Sequence, residues 1–336
     1  MKKATIIVGS LIIAIVLVTS GVIGYTLLHQ VSGTADLTGS SNVNIMLTRP
    51  EGWRKIVDTP VIPEFMMPML DGSTATIPIT AELYRQFFGY TDDQVQASPV
   101  VWHSTTHQAY INLIDRADRT GQGVPTSLIL VSPPSDEEKQ MAAERGVGLD
   151  ITPVSLDGFV FITHKDNPVD SLTPEQIRGI YTGRITNWNQ VGGPDRAITA
   201  FQREANSGSQ TTMEHLVMQD EKMMDPIKAL YLMSMGRLVD AVAEYENGPA
   251  SIGYTYYYYI NNLYRNDNIK VIRVNGIAPT NDNLISGTYP YTAQTVAVIR
   301  ADEPPGSPAR TLRDWLVSPA GQDVIELAGY CKAGKR

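Results

Sequence analysis

Short apolar runs alternate with amphipathic segments along the chain from about Val61 onward. Short apolar runs bounded by polar residues are typical of buried strands, and apolar stripes at helical spacing are typical of helices packed on a sheet. This alternation predicts an α/β fold. The predicted strands are Ser127–Val131, Gly158–Thr163, Ile198–Phe201, Ser251–Tyr254, Lys270–Arg273 and Thr295–Arg300.

Helical patterns lie between and after these strands. Leu238, Val242 and Tyr245 repeat at i, i+4 and i+7, and Gly248 follows as a stop signal. Pro174 stands just inside another helix start, where a proline is well tolerated. The predicted helices are Ala81–Phe88, Gln108–Arg116, a helix that begins at Pro174, Gly236–Glu246, Thr311–Val317 and Pro319–Ala328.

The N-terminal residues form a separate unit. Lys2 and Lys3 precede an uncharged run, residues 4–28, that is rich in Ile, Val and Leu. About 20 apolar residues cross a bilayer, and positive charges before such a run place the N-terminus in the cytoplasm. We therefore expect residues 1–28 to be a single uncleaved transmembrane helix, and a cleaved signal segment is the alternative. Either way, the remaining residues work outside the cytoplasm.

The rest of the chain divides into a tether and a folded body. Residues 29–60 contain Ser-, Gly- and Thr-rich stretches without a sustained period, which predicts a flexible linker. Residues 61–336 exceed the usual size of a body with one hydrophobic core, so we expect two lobes rather than one.

Charge and cysteine content narrow the function. Lys and Arg number 27 against 35 Asp and Glu, a formal net charge of −8, which argues against nucleic acid as the main partner. A small anion is still possible as a ligand, because an anion pocket is a local arrangement of N–H groups. The single cysteine, Cys331, excludes an internal disulfide and a Cys-based metal site, and we expect it to be a surface thiol.

Three segments share one design, a short loop of small polar residues that runs directly into a helix. They are residues 71–75 (DGSTA), 104–107 (STTH) and 203–210 (REANSGSQ). The first turn of a helix offers unpaired N–H groups and a partial positive charge, which together bind oxyanions. Ser and Thr are also ordinary helix caps, so each loop alone is explained by capping. The third is the strongest, because Arg203 adds a guanidinium suited to two oxygens of one ligand.

Six ordered motifs extend this pattern over much of the chain. They are residues 70–75 (LDGSTA), 185–193 (ITNWNQVGG), Arg203 with 206–211 (NSGSQT), 250–254 (ASIGY), 286–290 (SGTYP), and 314–330 from DWL through GQ to AGY. With these motifs the sequence resembles the phosphate-binding proteins of bacterial ABC transporters, which have the two-lobed type II periplasmic-binding-protein fold. The resemblance runs from about Leu70 to Tyr330.

The resemblance implies two α/β lobes that close over a dehydrated anion. It implies a first lobe of residues 61–155 and 265–336 and a second lobe of residues 156–264. It also implies an extracytoplasmic substrate-binding protein that captures inorganic phosphate, or a related oxyanion, for the permease subunits of an ABC importer, without a cofactor. By position, the implied phosphate-binding residues are Ser73, Thr74 and Ala75, then Thr105 and Thr106, and Arg203, Ser207, Gly208 and Ser209.

One departure from the family pattern concerns selectivity. The family usually has an Asp just before the strand that matches Ser127–Val131, and this carboxylate accepts a hydrogen bond from a protonated phosphate oxygen. Here Ser127 holds that place, behind a loop (residues 119–126) that looks lengthened. A carboxylate only accepts, whereas a hydroxyl also donates and discriminates less. Either Ser127 or Asp118 substitutes for the family Asp, or phosphate selectivity is weakened.

Other functions have weaker support in the sequence. The histidines show no HExxH pattern, so we expect no metal; they include His103, His107, His164 and His215. The loop serines lack a G-x-S-x-G elbow and an adjacent base, so a phosphatase-like enzyme is the less favoured alternative. A membrane-tethered phosphate sensor or surface-display module of the same fold is the other alternative. We expect Trp188 to pack at a helix–loop junction, and alternation along an extended segment to place roughly half of the tyrosines at 254 and 256–259 inward as core.

Overall fold

A computed structural model describes residues 47–225, 231–232, 235–244 and 248–333. Within these ranges, no helix combines the length and the apolar character that a membrane crossing requires. The predicted transmembrane segment, residues 1–28, lies outside the described residues, and so does the first part of the predicted linker.

The strands form one extended set of pairings and a separate two-stranded ribbon. The order along the main sheet is β1-β2-β10-β3-β8-β5, with β4, β9 and β11 attached at its sides, while β6 pairs with β7. The strands are β1 (Met69–Gly72), β2 (Thr126–Val131), β3 (Leu149–His164), β4 (Ser171–Leu172), β5 (Thr199–Ala200), β6 (Gln202–Arg203), β7 (Tyr231–Leu232), β8 (Ser251–Tyr256), β9 (Ile269–Val274), β10 (Thr292–Arg300) and β11 (Cys331–Lys332).

Strand β3 belongs to both halves of the molecule. Its first part pairs with β10, from Leu149 opposite Arg300 to Gly158 opposite Thr292. Its second part pairs with β8 on one side and with β9 on the other. The protein is therefore a two-lobed α/β fold, with β1, β2 and β10 in the first lobe and β5, β8 and β9 in the second.

The helices begin at capping residues that the sequence supplies. Side-chain oxygens of Thr and Ser N-caps accept hydrogen bonds from the first turn of most of them. The helices are Ile77–Phe88, Asp92–Ala97, Thr106–Asp115, Asp136–Glu144, Pro174–Tyr181, Gly208–Thr212, Met235–Glu244, Asn281–Ile285, Pro308–Leu316 and Pro319–Leu327.

The predicted elements are present among the described residues. The predicted strand Gly158–Thr163 is the second part of the longer β3, and the helix predicted over Ala81–Phe88 begins earlier, at Ile77. It begins earlier because Pro78 lies in the first turn, where its missing N–H costs no hydrogen bond. The predicted end of Gly236–Glu246 lies outside the described residues.

The described part of the predicted linker, residues 47–60, is attached to the first lobe. Leu47 and Ile56 are buried in the main core. The Ile56 N–H donates to Gln86 Oε1 at 2.8 Å, and the Trp315 indole N–H donates to the carbonyl of Asp58 at 2.7 Å. The expectation of a flexible tether is thus wrong for these residues, because the apolar side chains among their polar neighbours cover the first helix.

Cys331 also differs from its predicted position. It lies in β11, opposite Leu156 of β3, and is only 6% exposed. Burial raises the pKa of the Cys331 thiol to about 11, so the group is neutral at physiological pH. The predicted surface thiol is therefore a buried one. Trp188 is buried, and so are the tyrosines at 254, 256, 258 and 259, which is more of this cluster than the expected half.

Candidate oxyanion site

The first loop follows the carboxyl end of β1. The Ser73 N–H donates to the Leu130 carbonyl of β2 at 3.1 Å, and a 3-10 turn from Thr74 to Thr76 then leads into the first helix. Ser73 and Ala75 are buried, and Thr74 is half-buried. The first N–H groups of such a turn have no partner within it, so this loop offers backbone donors at the end of the sheet.

Asp71 holds the first two loops together. This side chain is fully buried. Its carboxylate accepts from the Gly72 N–H at 2.8 Å, from the Ser104 N–H at 2.7 Å and hydroxyl at 2.9 Å, and from Asn112 Nδ2 at 2.8 Å. Arg119 Nε lies 3.9 Å from the same carboxylate and also donates to the Leu70 carbonyl. Asp71 therefore fixes where the second loop stands relative to the first.

In the second loop, the two threonines that the sequence could not distinguish have different positions. Thr105 is the N-cap of its helix, since its hydroxyl accepts from the Gln108 N–H at 3.3 Å. Thr106 is buried and faces the second lobe: a Cβ atom placed on Gly208 would lie 2.6 Å from Thr106 Oγ1. Of the two, Thr106 is the residue that contacts the second lobe.

The third loop carries a buried cation. Arg203 is in β6, and its Nη1 lies 3.3 Å from Ser209 Oγ. Burial lowers the pKa of the Arg203 guanidinium, and the neighbouring tyrosines and Glu204 act in the opposite direction. The Ser207 hydroxyl caps the helix by accepting from the Gln210 N–H at 3.3 Å. A guanidinium, a hydroxyl and a helix start thus lie within one loop.

Ser132 is a candidate site residue that sequence reasoning missed. It follows the last residue of β2, and its Oγ would lie 2.7 Å from a Cβ atom on Gly208. Ser132 Oγ is buried and makes no well-directed hydrogen bond to a described residue, although it lies close to the Tyr256 hydroxyl. The sequence did contain one signal for Ser132, a serine directly after a predicted buried strand. Such a position can contribute to a site because the strand ends of one lobe face the other lobe.

The structure does not bring Ser127 to this group. Ser127 lies near the start of β2, whereas Ser132 follows its end. Since a strand advances about 3.3 Å per residue, the two ends are on the order of 15 Å apart. The expectation that Ser127 replaces the family carboxylate therefore fails on position.

Asp118 does not take that place either. It is exposed, and its carboxylate accepts from the backbone N–H groups of Thr120, Gly121 and Gly123. These backbone donors, first that of Gly123, lower the pKa of Asp118. The carboxylate thus closes its own loop, which enters β2 at the end distant from Ser132.

The histidines support the loops. His103 is buried; its Nδ1 lies 2.9 Å from the Ser73 carbonyl and its Nε2 lies 2.9 Å from Thr80 Oγ1. Burial lowers the pKa of His103 to about 4, so the ring is neutral at physiological pH. His107 Nδ1 lies 3.0 Å from Glu138 Oε1. In the described parts of the chain, no three or more His, Cys, Asp or Glu side chains are grouped so that they could hold a metal ion.

The loops of the two lobes therefore share one crevice. Gly208 of the second lobe lies directly against Thr106 and Ser132 of the first. A second contact crosses at the rim, where Asn206 Nδ2 donates to Glu137 Oε2. The hydroxyls of Thr106 and Ser132 lie at the start of the short helix that Ser207 caps, and the Arg203 guanidinium lies beside Ser209 in the same loop. Hydroxyls, a helix start and a guanidinium are groups suited to a small tetrahedral oxyanion.

We expect Gly208→Ala to weaken oxyanion binding by about 10- to 100-fold, because an added methyl overpacks the crevice. The methyl would displace the hydroxyls of Thr106 and Ser132 or hold the lobes apart. Isothermal titration calorimetry of the full-length protein measures this loss. Gly236→Ala is the matched control, since a Cβ atom added at Gly236 would lie 3.3 Å or more from its nearest neighbours. The oxyanion affinity of this variant should equal that of the wild type. Equal affinities in the two variants would contradict the placement of the crevice.

Comparisons with known proteins show which family and which solved structures the chain is similar to. A family model described as a PBP superfamily domain matches residues 71–320. The phosphate-binding protein PstS of Borreliella burgdorferi is 27% identical over 184 residues, which is 53% of this chain and 64% of that protein. PstS of Staphylococcus aureus is 25% identical over 225 residues, 65% of this chain and again 64% of that protein. The chain thus spans somewhat under two thirds of the length of both curated relatives.

Two solved structures are similar over most of the chain. One is described as a phosphate ABC transporter substrate-binding protein with bound phosphate, from Clostridium perfringens; it is 25% identical, with a TM-score of 0.60, and the match covers 80% of this chain and 99% of that one. The other is an ABC-type phosphate transport receptor from Vibrio cholerae, 26% identical, with a TM-score of 0.55 and coverages of 79% and 99%.

Proposed function

The chain belongs to the PBP superfamily, and on that premise we propose that it captures inorganic phosphate outside the cytoplasm and delivers it to an ABC importer. Relatives named phosphate-binding protein PstS, and a similar structure with bound phosphate, support phosphate as the ligand. The observation that carries the proposal is the position of Gly208 against Thr106 and Ser132, which brings two buried hydroxyls of the first lobe to the loop of the second lobe that carries Arg203 and Ser209.

The proposed mechanism is binding by replacement of water. Backbone N–H groups of the first and third loops take over the hydrogen bonds of the hydrated anion, and Arg203 balances its charge. Closure of the lobes then excludes solvent, which strengthens each of these contacts. The proposed phosphate-binding residues are Ser73, Thr74, Ala75, Thr106, Ser132, Arg203, Ser207, Gly208 and Ser209, with Thr105 as the cap of the second helix.

Finer features of the proposal follow from the sequence. They include the type II variant of the two-lobed fold, the lobe boundaries at residues 155 and 264, and permease subunits of an ABC importer as partners. They also include residues 1–28 as a single transmembrane helix that keeps the binding lobes at the outer face of the membrane.

Calorimetry tests the proposed function directly. Full-length protein in detergent, titrated with phosphate, arsenate, molybdate and sulfate, should bind one phosphate per chain. Absence of binding by any of these oxyanions would overturn the proposal. Saturable binding of molybdate alone would keep the fold and the site but change the ligand.

A further inference from the structure

Exposed apolar side chains gather in one short segment of the first lobe. Val57 is 89% exposed, Val61 96%, Phe65 86% and Met66 47%. We call these four side chains the apolar patch. They are half of the large apolar side chains that are clearly exposed in the described part of the chain. Single exposed apolar residues are ordinary on a protein surface, whereas a group of them marks a surface that contacts another molecule or a membrane.

The segment that carries the apolar patch is fixed to the first lobe. Buried apolar side chains alternate with the exposed ones and pack in the main core: Ile56, Ile62 and Met67. The carbonyl of Asp58 accepts from the Trp315 indole N–H at 2.7 Å, and Glu64 Oε1 accepts from the Tyr90 hydroxyl at 2.5 Å. The patch is therefore held outward by its own neighbours, so its exposure is a built feature of this surface.

Residues 47–56, which precede the apolar patch, are attached to the first helix by polar groups. The Trp53 indole N–H donates to Glu82 Oε1 at 2.7 Å, and Gln86 Nε2 donates to the Arg54 carbonyl at 2.8 Å. The side chains of Glu82 and Gln86 are buried, so these hydrogen bonds are costly to break. The chain therefore runs from its first described residue to the patch along the first lobe.

The apolar patch is close along the chain to the predicted membrane-crossing run. The 18 residues 29–46 separate that run, residues 4–28, from the attached segment that starts at Leu47. A chain of this length spans at most about 60 Å even when fully extended. In the proposed arrangement, the first lobe is thus the part of the body that the anchor holds near the bilayer. The patch lies on the segment through which this lobe is held.

The chemistry of the apolar patch suits hydrocarbon better than a protein partner. Its valine, phenylalanine and methionine side chains provide apolar area without a strong hydrogen-bonding group. Hydrocarbon requires no such group, whereas the binding hot spots of protein interfaces are enriched in Trp, Tyr and Arg. The charges beside the patch are mixed, since Lys55 is opposed by Asp58 and Glu64. Apolar area, rather than attraction to anionic lipid, is therefore the driving force for contact.

We propose that the apolar patch rests on the outer face of the bilayer and inserts its side chains at the level of the headgroups and upper acyl chains; this rests on the proposed function, which places the lobes outside the cytoplasm beside a membrane anchor. Burial of apolar surface in this layer stabilises the contact, and an anchor that already holds the lobe nearby lowers its entropic cost. The first lobe then stands on the membrane, and the second lobe moves when the two close over the ligand.

Fluorescence quenching by lipid tests this contact. Val61→Cys in the full-length protein is labelled with a thiol-reactive NBD dye, and the protein is placed in phosphatidylcholine nanodiscs with or without bromine on the acyl chains. Burial raises the pKa of Cys331 to about 11, so the native thiol should label little, and wild type measures that background. The label at residue 61 should lose most of its fluorescence in brominated lipid. A label on Lys222→Cys, an exposed position of the second lobe on the same tether, should keep it.

Two variants at residue 65 show whether apolar area carries the contact. In the labelled Val61→Cys protein, Phe65→Asp should restore the fluorescence in brominated lipid, because a carboxylate within the patch opposes insertion. Phe65→Leu should retain the quenching. Both variants should bind phosphate as wild type does, since Phe65 is 86% exposed and lies outside the candidate oxyanion site. Addition of phosphatidylglycerol to the nanodiscs should leave the quenching unchanged, because the charges beside the patch are mixed.

The outcomes separate this proposal from the proposed function. A label at residue 61 that stays bright in brominated lipid, or that is quenched no more than the label at residue 222, would overturn the lipid contact. A label that responds only when ABC permease subunits are added to the nanodisc would also overturn it and assign the patch to a protein partner. A full-length protein that does not associate with nanodiscs would contradict it as well. Quenching at residue 61 in a protein that binds no oxyanion would support the lipid contact and remove the proposed function.

Discussion

Arg203→Ala is expected to reduce phosphate affinity by roughly 30- to 5000-fold, equivalent to about 2–5 kcal/mol, the cost of truncating one partner of a buried charge pair. The guanidinium is buried beside Ser209, and in the proposed site it balances the charge of the dehydrated anion. Loss of this positive charge leaves a buried anion held only by neutral donors. Isothermal titration calorimetry of the full-length variant measures the change.

Arg184→Ala is the control for this experiment. Arg184 is exposed and pairs with Glu221 at the surface, so its loss should not change phosphate affinity. Arg203→Lys should give an intermediate affinity, because it keeps the charge but loses the two-pronged geometry. Wild-type affinity in Arg203→Ala would remove Arg203 from the site.

Asp71→Ala is expected to lower the free energy of unfolding by about 3–5 kcal/mol, the range seen when one partner of a buried ion pair is removed. The substitution leaves the Gly72 and Ser104 N–H groups and the Asn112 amide without their acceptor and leaves Arg119 in a buried position. It should also weaken phosphate binding, because the second loop loses its attachment to the first. Urea denaturation measures the loss of stability.

Asp170→Ala is a suitable comparison for Asp71→Ala. Asp170 is exposed and pairs with Lys270 at the surface, so its removal should change the unfolding midpoint little. If Asp71→Ala unfolds at the same urea concentration as Asp170→Ala, Asp71 does not organise the loops.

Local patterns predicted the strands, the helices and the three loops because these depend on neighbouring residues. The threonines and serines that cap the loop helices can be identified from the sequence alone. The proximity of Arg203 to Ser209 can be identified in the same way, because the two residues are close along the chain. The sequence could not separate Thr105 from Thr106. That distinction depends on Gly208, which is distant along the chain and lies in the other lobe.

The residues that were missed depend on contacts across the fold. Ser132 directly follows the predicted strand Ser127–Val131, and its neighbours along the chain do not show what it contacts. Its place in the candidate site depends on Gly208, which comes from the other lobe. Cys331 and the apolar residues of 47–60 were misplaced for the same reason, since their polar neighbours conceal the long-range packing that buries them.

The central claim is that loops of both lobes hold a single tetrahedral oxyanion, and arsenate offers the most direct measurement of it. Crystals of the full-length protein grown with arsenate, measured at the arsenic absorption edge, locate the bound anion by its anomalous scattering. We expect one arsenic peak per chain between the turn at residues 73–75 and the turn at residues 203–209. A peak elsewhere, or a peak that contacts only one lobe, would contradict the account.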